Sequence, residues 1–503
     1  MSRDQAAEDA EALVDVPRAA RRPLLGAFIT VFALLAFLGA ALVATNFCSY
    51  RALLPIEIDP NEAWNAWQSK ALDHLYPALD ALVINNYPPL YFYVLNGFER
   101  YGYEPIYAGR LLSIAAALLL TLTAYGTARE LGARRLGSAV GAAWFLATIS
   151  GAYTGYVGMN DPNLPALAVM AAGFLWLVAR QNRGQSAEPA ILVMVLAGFI
   201  KHNIGAIPLA ALIWLAFDNP WRALRGAVFG AAACAIGLAI CQSVYGHVFF
   251  DQLLLPRYLG WKNFHYEAES LQPLIGAAFL CCLWLLAERQ SNGETTPITP
   301  RRKEQGVPFE AASPLPEGGR QGEGAPLYQS KPADFRIASK MAVLLLLTGV
   351  SGFIQRLGDG VDHNAYFEFL FALAVGVGLA MGKTEGFLGE QLFRFAGAIT
   401  LMVTLAISSQ HEPYRYLTSE DFRTEIKDNA GAVDEETARI RDIGGDVSCS
   451  VMLVCYWAGK PFVWDDFAMK ERVVTGKWTQ AELDRQAKLH RIRFETIDDR
   501  TVW

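Results

Sequence analysis

The 503-residue sequence contains little charge and few of the patterns that mark common catalytic sites. Only 18 % of its residues are charged, whereas a soluble protein carries about 25 %. It has no glycine-rich phosphate loop, no Walker pattern and no histidine–cysteine cluster spaced for a metal. The formal net charge is −6, and no repeat of fixed period runs along the chain. These absences exclude a nucleic-acid-binding chain, a P-loop nucleotide hydrolase and a repeat protein.

Hydrophobic residues dominate instead. They make up 53 % of the chain, with a mean hydropathy of +0.22, and they are gathered into blocks. The first block, residues 23–45, is long enough to cross a bilayer, which takes about 20 apolar residues. Three arginines precede it and no convincing cleavage site follows, so we expect a retained helix with a cytoplasmic N-terminus. The sequence predicts an α-helical polytopic membrane protein with about eleven transmembrane helices.

The segment 189–217 admits two interpretations, because Lys201, His202 and Asn203 lie in its middle. One long helix would bury a lysine near the bilayer centre, which costs about 2.5–3.5 kcal/mol. Two short crossings would place Lys201 at an outer turn. The sequence favours two, since Arg222 and Arg225 then lie inside. A single crossing would invert everything that follows.

The composition divides the chain into five parts. We expect a cytoplasmic tail (1–22), a transmembrane catalytic region (23–288) with a large first outer loop (46–105), a disordered cytoplasmic linker (289–338), the last transmembrane helices (339–410) and a small extracytoplasmic α/β module (411–503). In this module, residues 451–456 are typical of a buried strand, 482–490 of an amphipathic helix and 494–497 of a second strand.

Of seven cysteines, five lie in or beside apolar segments. Cys449 and Cys455 are the pair in a polar region, and their spacing is not a zinc pattern. A disulfide between them requires an extracytoplasmic location, and the sequence favours free thiols.

An acidic cluster follows the first membrane block, where Glu57, Asp59 and Glu62 fall within six residues. Carboxylates at a membrane face suggest function. The same residues also form a helix start, with Asp59 as N-cap, Pro60 at the first helical position and Glu62 three residues after the cap. Capping and catalysis are compatible, because a capped helix also holds a carboxylate still.

More polar residues collect on the predicted outer face. Carboxylates and cations converging there suit an anionic substrate, since cations bind phosphate and a carboxylate acts as general base. The set comprises Asn160, Asp161, Lys201, His202, Asn203, Arg257, Lys262, His265, Arg356, Asp359, Asp362, His363 and Glu368.

Several of these residues have a structural alternative. Asp161 precedes a proline and is a plausible N-cap, Lys201 could extend to the interface, and Arg257 could be solvated. Glu368 lies among apolar residues and is harder to explain in this way.

The order of several motifs carries a resemblance. They are Asp59-Pro-Asn-Glu62, Tyr87-Pro-Pro-Leu-Tyr91, Ala108-Gly-Arg-Leu-Leu-Ser113, Asn160-Asp161, Gly198-Phe-Ile-Lys-His-Asn203, His363-Asn-Ala-Tyr-Phe-Glu368 and Ala458-Gly-Lys-Pro-Phe-Val-Trp-Asp465. In this order the chain resembles the bacterial GT-C glycosyltransferases of the protein-O-mannosyltransferase and aminoarabinose-transferase-like group.

The resemblance implies inverting transfer of a sugar from a polyprenyl-phosphate donor to an envelope acceptor. The reaction would take place on the outer face of the inner membrane. The catalytic base would be Asp59, or Glu62 one turn later, with Asp161 as a second acid that orients donor or acceptor. Asn160 stands where relatives often have arginine, so a phosphate-binding role at this position is in doubt.

The resemblance also implies a set of substrate-binding residues. Lys201 and Arg257 would bind the donor phosphate, and the remaining members are Tyr87, His202, His363 and Glu368. The sequence specifies no cofactor, and metal dependence is open. A divalent cation shared by Asp59, Glu62 and Asp161 is an alternative, although no ligand spacing demands one.

Two other classes stay open. A transporter or flippase of a polyprenyl-linked precursor would carry polar residues through the bilayer depth and often two related halves. Here the ionisable residues crowd one face. An envelope assembly scaffold would not need interfacial acids.

Overall fold

A computed structural model describes residues 18–255, 257–261, 267–291, 333–382 and 390–503. The predicted cytoplasmic tail up to residue 17 and the predicted linker from 292 to 332 lie outside these ranges, as do Lys262 and His265.

The described ranges form a helical bundle followed by a mixed C-terminal module. The helices of the bundle are α1 Arg18–Arg51, α2 Asn61–Lys70, α3 Leu90–Arg100, α4 Pro105–Glu130, α5 Arg135–Gly151, α6 Asn163–Asn182, α7 Glu188–Ile200, α8 Ala206–Asp218, α9 Pro220–Tyr245, α10 Val248–Leu253, α11 Glu267–Leu271, α12 Ile275–Ser291, α13 Ala333–Arg356, α14 Phe367–Gly382 and α15 Glu390–Ser408. The module contains α16 Glu412–Thr418, α17 Glu420–Arg441, β1 Val447–Cys449, α18 Met452–Trp457, α19 Asp466–Val474, α20 Gln480–Leu489 and β2 Arg493–Glu495.

Helix α1 covers the first predicted crossing, residues 23–45, and α7 and α8 lie in the segment 189–217. Within the described ranges, eight helices are long and apolar enough to span a membrane. The helices α5, α7 and α8 are shorter, with 17, 13 and 13 residues. The multi-pass helical architecture is therefore present, and the number of crossings stays a prediction.

Helix α14 forms the centre of the bundle. Its membrane-length window is 94 % buried, whereas that of α9 is only 6 % buried and lies at the periphery. Close packing against α5 depends on glycine. A Cβ atom at Gly141 would lie 2.3 Å from the Ala374 carbonyl oxygen, and one at Gly137 would lie 2.6 Å from the Gly382 Cα. Small residues at a helix contact let two backbones approach in this way.

The segment 189–217 is an antiparallel pair of short helices. The Gln181 side chain, at the end of α6, donates to Asp218 at the end of α8 over 3.1 Å. Glu188, at the start of α7, pairs with Arg225 at 2.5 Å. The start of α7 and the end of α8 therefore lie at the same end of the bundle, and the chain reverses at Lys201. This geometry agrees with the two-crossing interpretation.

The C-terminal module is built around a two-stranded parallel sheet. Strand β1 pairs with β2 in the register Val447 to Arg493, Ser448 to Phe494 and Cys449 to Glu495. The predicted amphipathic helix is present as α20, and β2 overlaps the predicted second strand.

Two predictions about this module are wrong. Residues 451–456, predicted as a strand, lie almost entirely in helix α18, because a short apolar run suits a buried helix as well as a strand. Cys449 and Cys455, predicted as free thiols, form a disulfide with a Cα–Cα distance of 5.8 Å. The turn from β1 into α18 brings them within bonding distance.

Candidate active site

Asp59 lies in the loop between α1 and α2 and lines a cleft of about 740 Å³. Its Oδ1 accepts a 2.8 Å hydrogen bond from the Asn61 backbone N–H, so the residue does help to start α2. Burial raises the pKa of Asp59 to about 7; the Asn61 hydrogen bond opposes this rise, and the charges of Asp161 and Glu62 add to it. A carboxylate with a pKa near neutrality, open to a cleft, suits a general base.

Glu62 lies in the first turn of α2 and has a different environment. Both of its oxygens bind the Arg110 guanidinium, with distances of 2.7 and 2.6 Å, and neither side chain is exposed. Its oxygens also accept the backbone N–H groups of Ile58 and Asn160, each over 3.0 Å. The carboxylate of Glu62 is therefore fully occupied and does not line the cleft.

Asn160 connects the first outer loop to the loop before α6. Its side chain accepts from the Tyr91 hydroxyl at 2.7 Å and donates to the Glu62 carbonyl at 3.0 Å. Its own carbonyl accepts from the Asn65 side chain at 2.9 Å. A Cβ atom at Gly109 would lie 1.8 Å from the Asn160 Oδ1, so this position of α4 requires glycine. Asn160 holds the two loops together.

Asp161 and Lys201 form a buried ion pair beside the cleft. Their charged atoms are 3.4 Å apart, and the two side chains are only 5 % and 3 % exposed. The Asp161 Oδ1 also accepts the Asn163 backbone N–H at 2.7 Å, so it supports the start of α6 as well. The Lys201 Nζ lies 4.9 Å from the centre of the Tyr87 ring. The predicted residues Tyr87, Asp161 and Lys201 are thus brought together.

The cleft lies between the membrane helices and the C-terminal module. One side is formed by the outer loops, including Asp59, Tyr87, Asp161, Asp362 and Arg257. The other side is formed by residues of β1, α19 and β2. Many hydrogen bonds fix the module in place; among them, Trp64 donates to Asp465 at 3.1 Å and the Leu453 backbone N–H donates to Glu57 at 2.7 Å.

An apolar groove of about 330 Å³ lies next to the cleft, between α7, α8 and α9. Its lining is almost entirely aliphatic and aromatic, and it includes Pro88 and His202. Tyr87, the sequence neighbour of Pro88, lines the cleft, whereas Lys201, the neighbour of His202, is buried in the ion pair with Asp161. The polar cleft and the apolar groove therefore meet at Tyr87 and Pro88.

Other predicted site residues lie elsewhere. His202 lines the groove and not the cleft. His363 lies behind the cleft, where its Nδ1 is 2.8 Å from the Ser270 hydroxyl and its Nε2 is 3.6 Å from Asp362.

Glu368 has a structural role that the sequence did not predict. It is 3 % exposed and accepts the backbone N–H groups of Ile207 at 2.9 Å and Ala206 at 3.4 Å. Helix α8 begins without a side-chain cap of its own, so Glu368 caps it from another helix. Glu368 is not among the residues that line the cleft, and its predicted role in substrate binding stays a prediction.

In the part of the chain that the structure describes, no three histidine, cysteine, aspartate or glutamate side chains are grouped to hold a metal ion. The alternative of a cation shared by Asp59, Glu62 and Asp161 meets a further obstacle, because Arg110 occupies both oxygens of Glu62.

The sequence did not point to Arg110, nor to most of the C-terminal wall, which is the side of the cleft formed by Asp465 and by residues of β1, α19 and β2. Arg110 lies within a motif that carried the resemblance, and an arginine in an apolar helix is itself a signal. Of the wall, only Asp465 lay in a predicted motif. Its neighbours gave no signal, because their place beside the cleft depends on contacts some 400 residues apart in sequence.

A family model described as dolichyl-phosphate-mannose-protein mannosyltransferase matches residues 86–246. No curated protein matches the chain.

Two solved structures share the fold. ArnT from Cupriavidus metallidurans bound to undecaprenyl phosphate is 13 % identical, with 92 % of this chain and 89 % of ArnT covered and a TM-score of 0.51. ArnT from the same organism in the apo state is 13 % identical over 90 % of each chain, with a TM-score of 0.52. The family match and the shared fold confirm the resemblance to the GT-C superfamily of membrane glycosyltransferases.

Proposed function

We propose that the chain is a membrane glycosyltransferase that moves a sugar from a polyprenyl-phosphate donor to an acceptor of the cell envelope. The reaction takes place on the extracytoplasmic face of the inner membrane and inverts the anomeric centre. The observation that carries the proposal is the junction of an acidic cleft with an apolar groove, beside a half-buried aspartate.

The junction suits a donor with a charged head and a long apolar tail. The groove between α7, α8 and α9 accepts the isoprenoid tail, since its lining is apolar and the membrane-length window of α9 is only 6 % buried within the protein. The donor phosphate lies near Lys201 and Arg257, where two cations can bind its oxygens. The sugar then extends into the cleft towards Asp59. ArnT, which shares the fold, has been solved with undecaprenyl phosphate bound, and this supports a donor of the same class.

Asp59 acts as the general base. Its carboxylate removes the proton from the acceptor hydroxyl as the hydroxyl oxygen forms a bond to the anomeric carbon. The bond from that carbon to the phosphate oxygen breaks, and the polyprenyl phosphate leaves with the electron pair. Lys201 and Arg257 stabilise the charge that develops on the leaving phosphate. Attack opposite the leaving group inverts the configuration.

Glu62 is a positioning residue and not a second base. Taking up a proton would cost it the ion pair with Arg110 in a site where neither side chain is exposed. Its hydrogen bonds to Ile58 and Asn160 hold the residues just before Asp59 and Asp161. Glu62 therefore sets the distance between Asp59 and Asp161, both of which line the cleft.

The test is sugar transfer by the purified full chain in nanodiscs, with a panel of polyprenyl-phosphate sugars and an envelope extract as acceptor. We expect transfer by the wild type and a loss of about 10²–10⁴-fold in Asp59→Asn. The matched control is Asp73→Asn, which changes an exposed aspartate of the same outer loop and should transfer normally.

Equal rates in wild type and Asp59→Asn would remove Asp59 from the role of base. If the wild type transfers no sugar from any donor but moves a polyprenyl phosphate across a liposome membrane, the chain is a flippase and the transferase proposal fails.

A further inference from the structure

The C-terminal wall of the cleft carries an aromatic ring on its small sheet. Ser448 and Phe494 are register partners on β1 and β2, so they lie side by side on one face. Val447 and Cys449 flank Ser448 and are buried, which places Ser448 and Phe494 on the opposite face, towards the cleft. The Phe494 side chain is 53 % exposed, and the edge-to-face contact with Trp464 at 5.2 Å fixes its orientation. A hydroxyl and an open ring face are thus presented together.

A second ring, Phe467 on α19, lines the same cleft and is 40 % exposed. It packs on Gly360, where a Cβ atom would lie 2.4 Å from the ring and where φ is +68°. The Arg257 guanidinium lies 5.8 Å from the centre of the ring. Exposed phenylalanines are costly in water unless something covers them, and these two are held in place without being covered.

The lining of the cleft is acidic on balance. Among the lining residues that the structure describes there are six carboxylates, on Asp59, Asp161, Asp362, Asp465, Asp466 and Glu495. Three of them are paired, since Asp161 pairs with Lys201, Asp466 with Lys470, and Glu495 with Arg439 and Arg493. The other three, together with one further lining cation, Arg257, leave the potential of the cleft negative, which disfavours a phosphorylated or carboxylated acceptor.

We infer that the wall formed by Ser448, Phe494, Phe467 and Asp466 is an acceptor subsite that binds an uncharged glycan. A pyranose ring has a C–H face that packs on an aromatic ring, whose face carries partial negative charge. Its rim of hydroxyls donates to carboxylates and to serine oxygens. At about 740 Å³ the cleft is large enough for a transferred sugar together with an acceptor sugar. The inference rests on the proposed function only in calling the bound glycan the acceptor.

The experiment is isothermal titration calorimetry on the full chain in nanodiscs, which avoids detergents with sugar head groups. The probes are neutral trisaccharides of glucose, mannose, galactose and N-acetylglucosamine, the same trisaccharides carrying one 6-phosphate, and a lysine-rich peptide. The variants are Phe494→Ala and Phe467→Ala. The control is Leu489→Ala, which removes a side chain of the same module that is 69 % exposed and lies away from the cleft.

We expect at least one neutral trisaccharide to bind, and its phosphorylated form to bind at least about tenfold more weakly. Each ring variant should weaken binding by about 10- to 100-fold, and Leu489→Ala should leave it unchanged. Phe494→Tyr keeps the ring and should restore binding, which separates loss of the ring from misfolding.

The inference is overturned if no trisaccharide binds, if both ring variants bind as the wild type does, or if the phosphorylated sugar or the peptide binds more tightly. Glycan binding without transfer from any donor would contradict the proposed transferase and leave this subsite standing. Transfer to a phosphorylated or peptide acceptor would support the proposed transferase and contradict the assignment of this wall as a subsite for an uncharged glycan.

Discussion

Glu62 and Arg110 bind each other through two hydrogen bonds, of 2.7 and 2.6 Å, in a place where neither side chain is exposed. Arg110 also donates to the Ile56 carbonyl at 2.8 Å, three residues before Asp59. The pair joins α2 to α4 and fixes the path of the loop that carries the candidate base. A bidentate contact between a guanidinium and a carboxylate fixes the relative orientation of the two groups, whereas a lysine ammonium can pair with a carboxylate in many orientations.

Arg110→Ala should lower the free energy of unfolding by about 3–5 kcal/mol, because it leaves the Glu62 carboxylate buried without a partner. The comparison is Arg225→Ala, which removes the pair to Glu188; the Arg225 side chain is 62 % exposed, so the expected cost is only about 0–1 kcal/mol. Thermal unfolding in nanodiscs measures both. Equal losses of unfolding free energy in the two variants would show that the buried pair stabilises the fold no more than the exposed pair does.

Gly109→Ala should disrupt the site although Gly109 does not line the cleft. The added methyl would lie 1.8 Å from the Asn160 Oδ1, so Asn160 must move and Asp161 with it. We expect a cost of about 1–3 kcal/mol and a reduced rate of transfer. Gly97→Ala, in α3, is the matched control, because its Cβ would meet no atom within 4 Å. That variant should gain about 0.5–1 kcal/mol by favouring the helix, with transfer unchanged.

The pH dependence of transfer should follow Asp59. The base works only when ionised, and its pKa is raised to about 7, so kcat/KM should rise with pH and level off above about 7. Below that value the rate should fall about tenfold per pH unit. The measurement is initial rate against pH for wild type and Asp73→Asn, which should coincide. If the residual activity of Asp59→Asn keeps the same rising limb, another group is the base.

Glu368→Ala should destabilise the start of α8. The backbone N–H groups of Ala206 and Ile207 would lose their acceptor in a buried place, at a cost of about 1–3 kcal/mol. Glu368→Gln keeps one oxygen and should cost less. Thermal unfolding and donor binding together test this role. Unchanged stability in Glu368→Ala with lost donor binding would return Glu368 to the substrate site.

Because of Glu57, the free energy of unfolding should decrease as the pH rises. Burial raises its pKa to about 8, although the hydrogen bond from Leu453 opposes the rise, so the folded state holds more protons than the unfolded state between about pH 4.5 and 8. The free energy of unfolding therefore falls as pH rises through that window. Glu57→Gln retains an acceptor for the Leu453 N–H and should flatten the dependence. The measurement is the melting temperature of wild type and Glu57→Gln from pH 5 to 8. Parallel curves for the two proteins would contradict the role of Glu57 in the pH dependence.

The sequence predicted the helices of the bundle well, because their positions follow from local hydrophobicity. It also pointed to Asp59, Asp161, Lys201 and Tyr87 as candidate site residues. It did not distinguish Asp59 from Glu62, since both lie in one short motif and only the distant Arg110 makes them different. The cap role of Glu368 spans about 160 residues of sequence and has no local signature. Residues 451–456 show the same limit at short range, because their hydrophobicity suits either a strand or a helix.

The hairpin of α7 and α8 has a consequence for the bilayer around it. Each helix has 13 residues and is therefore about 20 Å long, against about 30 Å of hydrocarbon. With the predicted topology, lipids next to the hairpin must thin or tilt to match it, and water then reaches deeper there than elsewhere. The turn at Lys201 would lie at the bottom of this local depression. The proposed lipid-phosphate donor, arriving beside α9, would then enter the protein where the bilayer is thinnest.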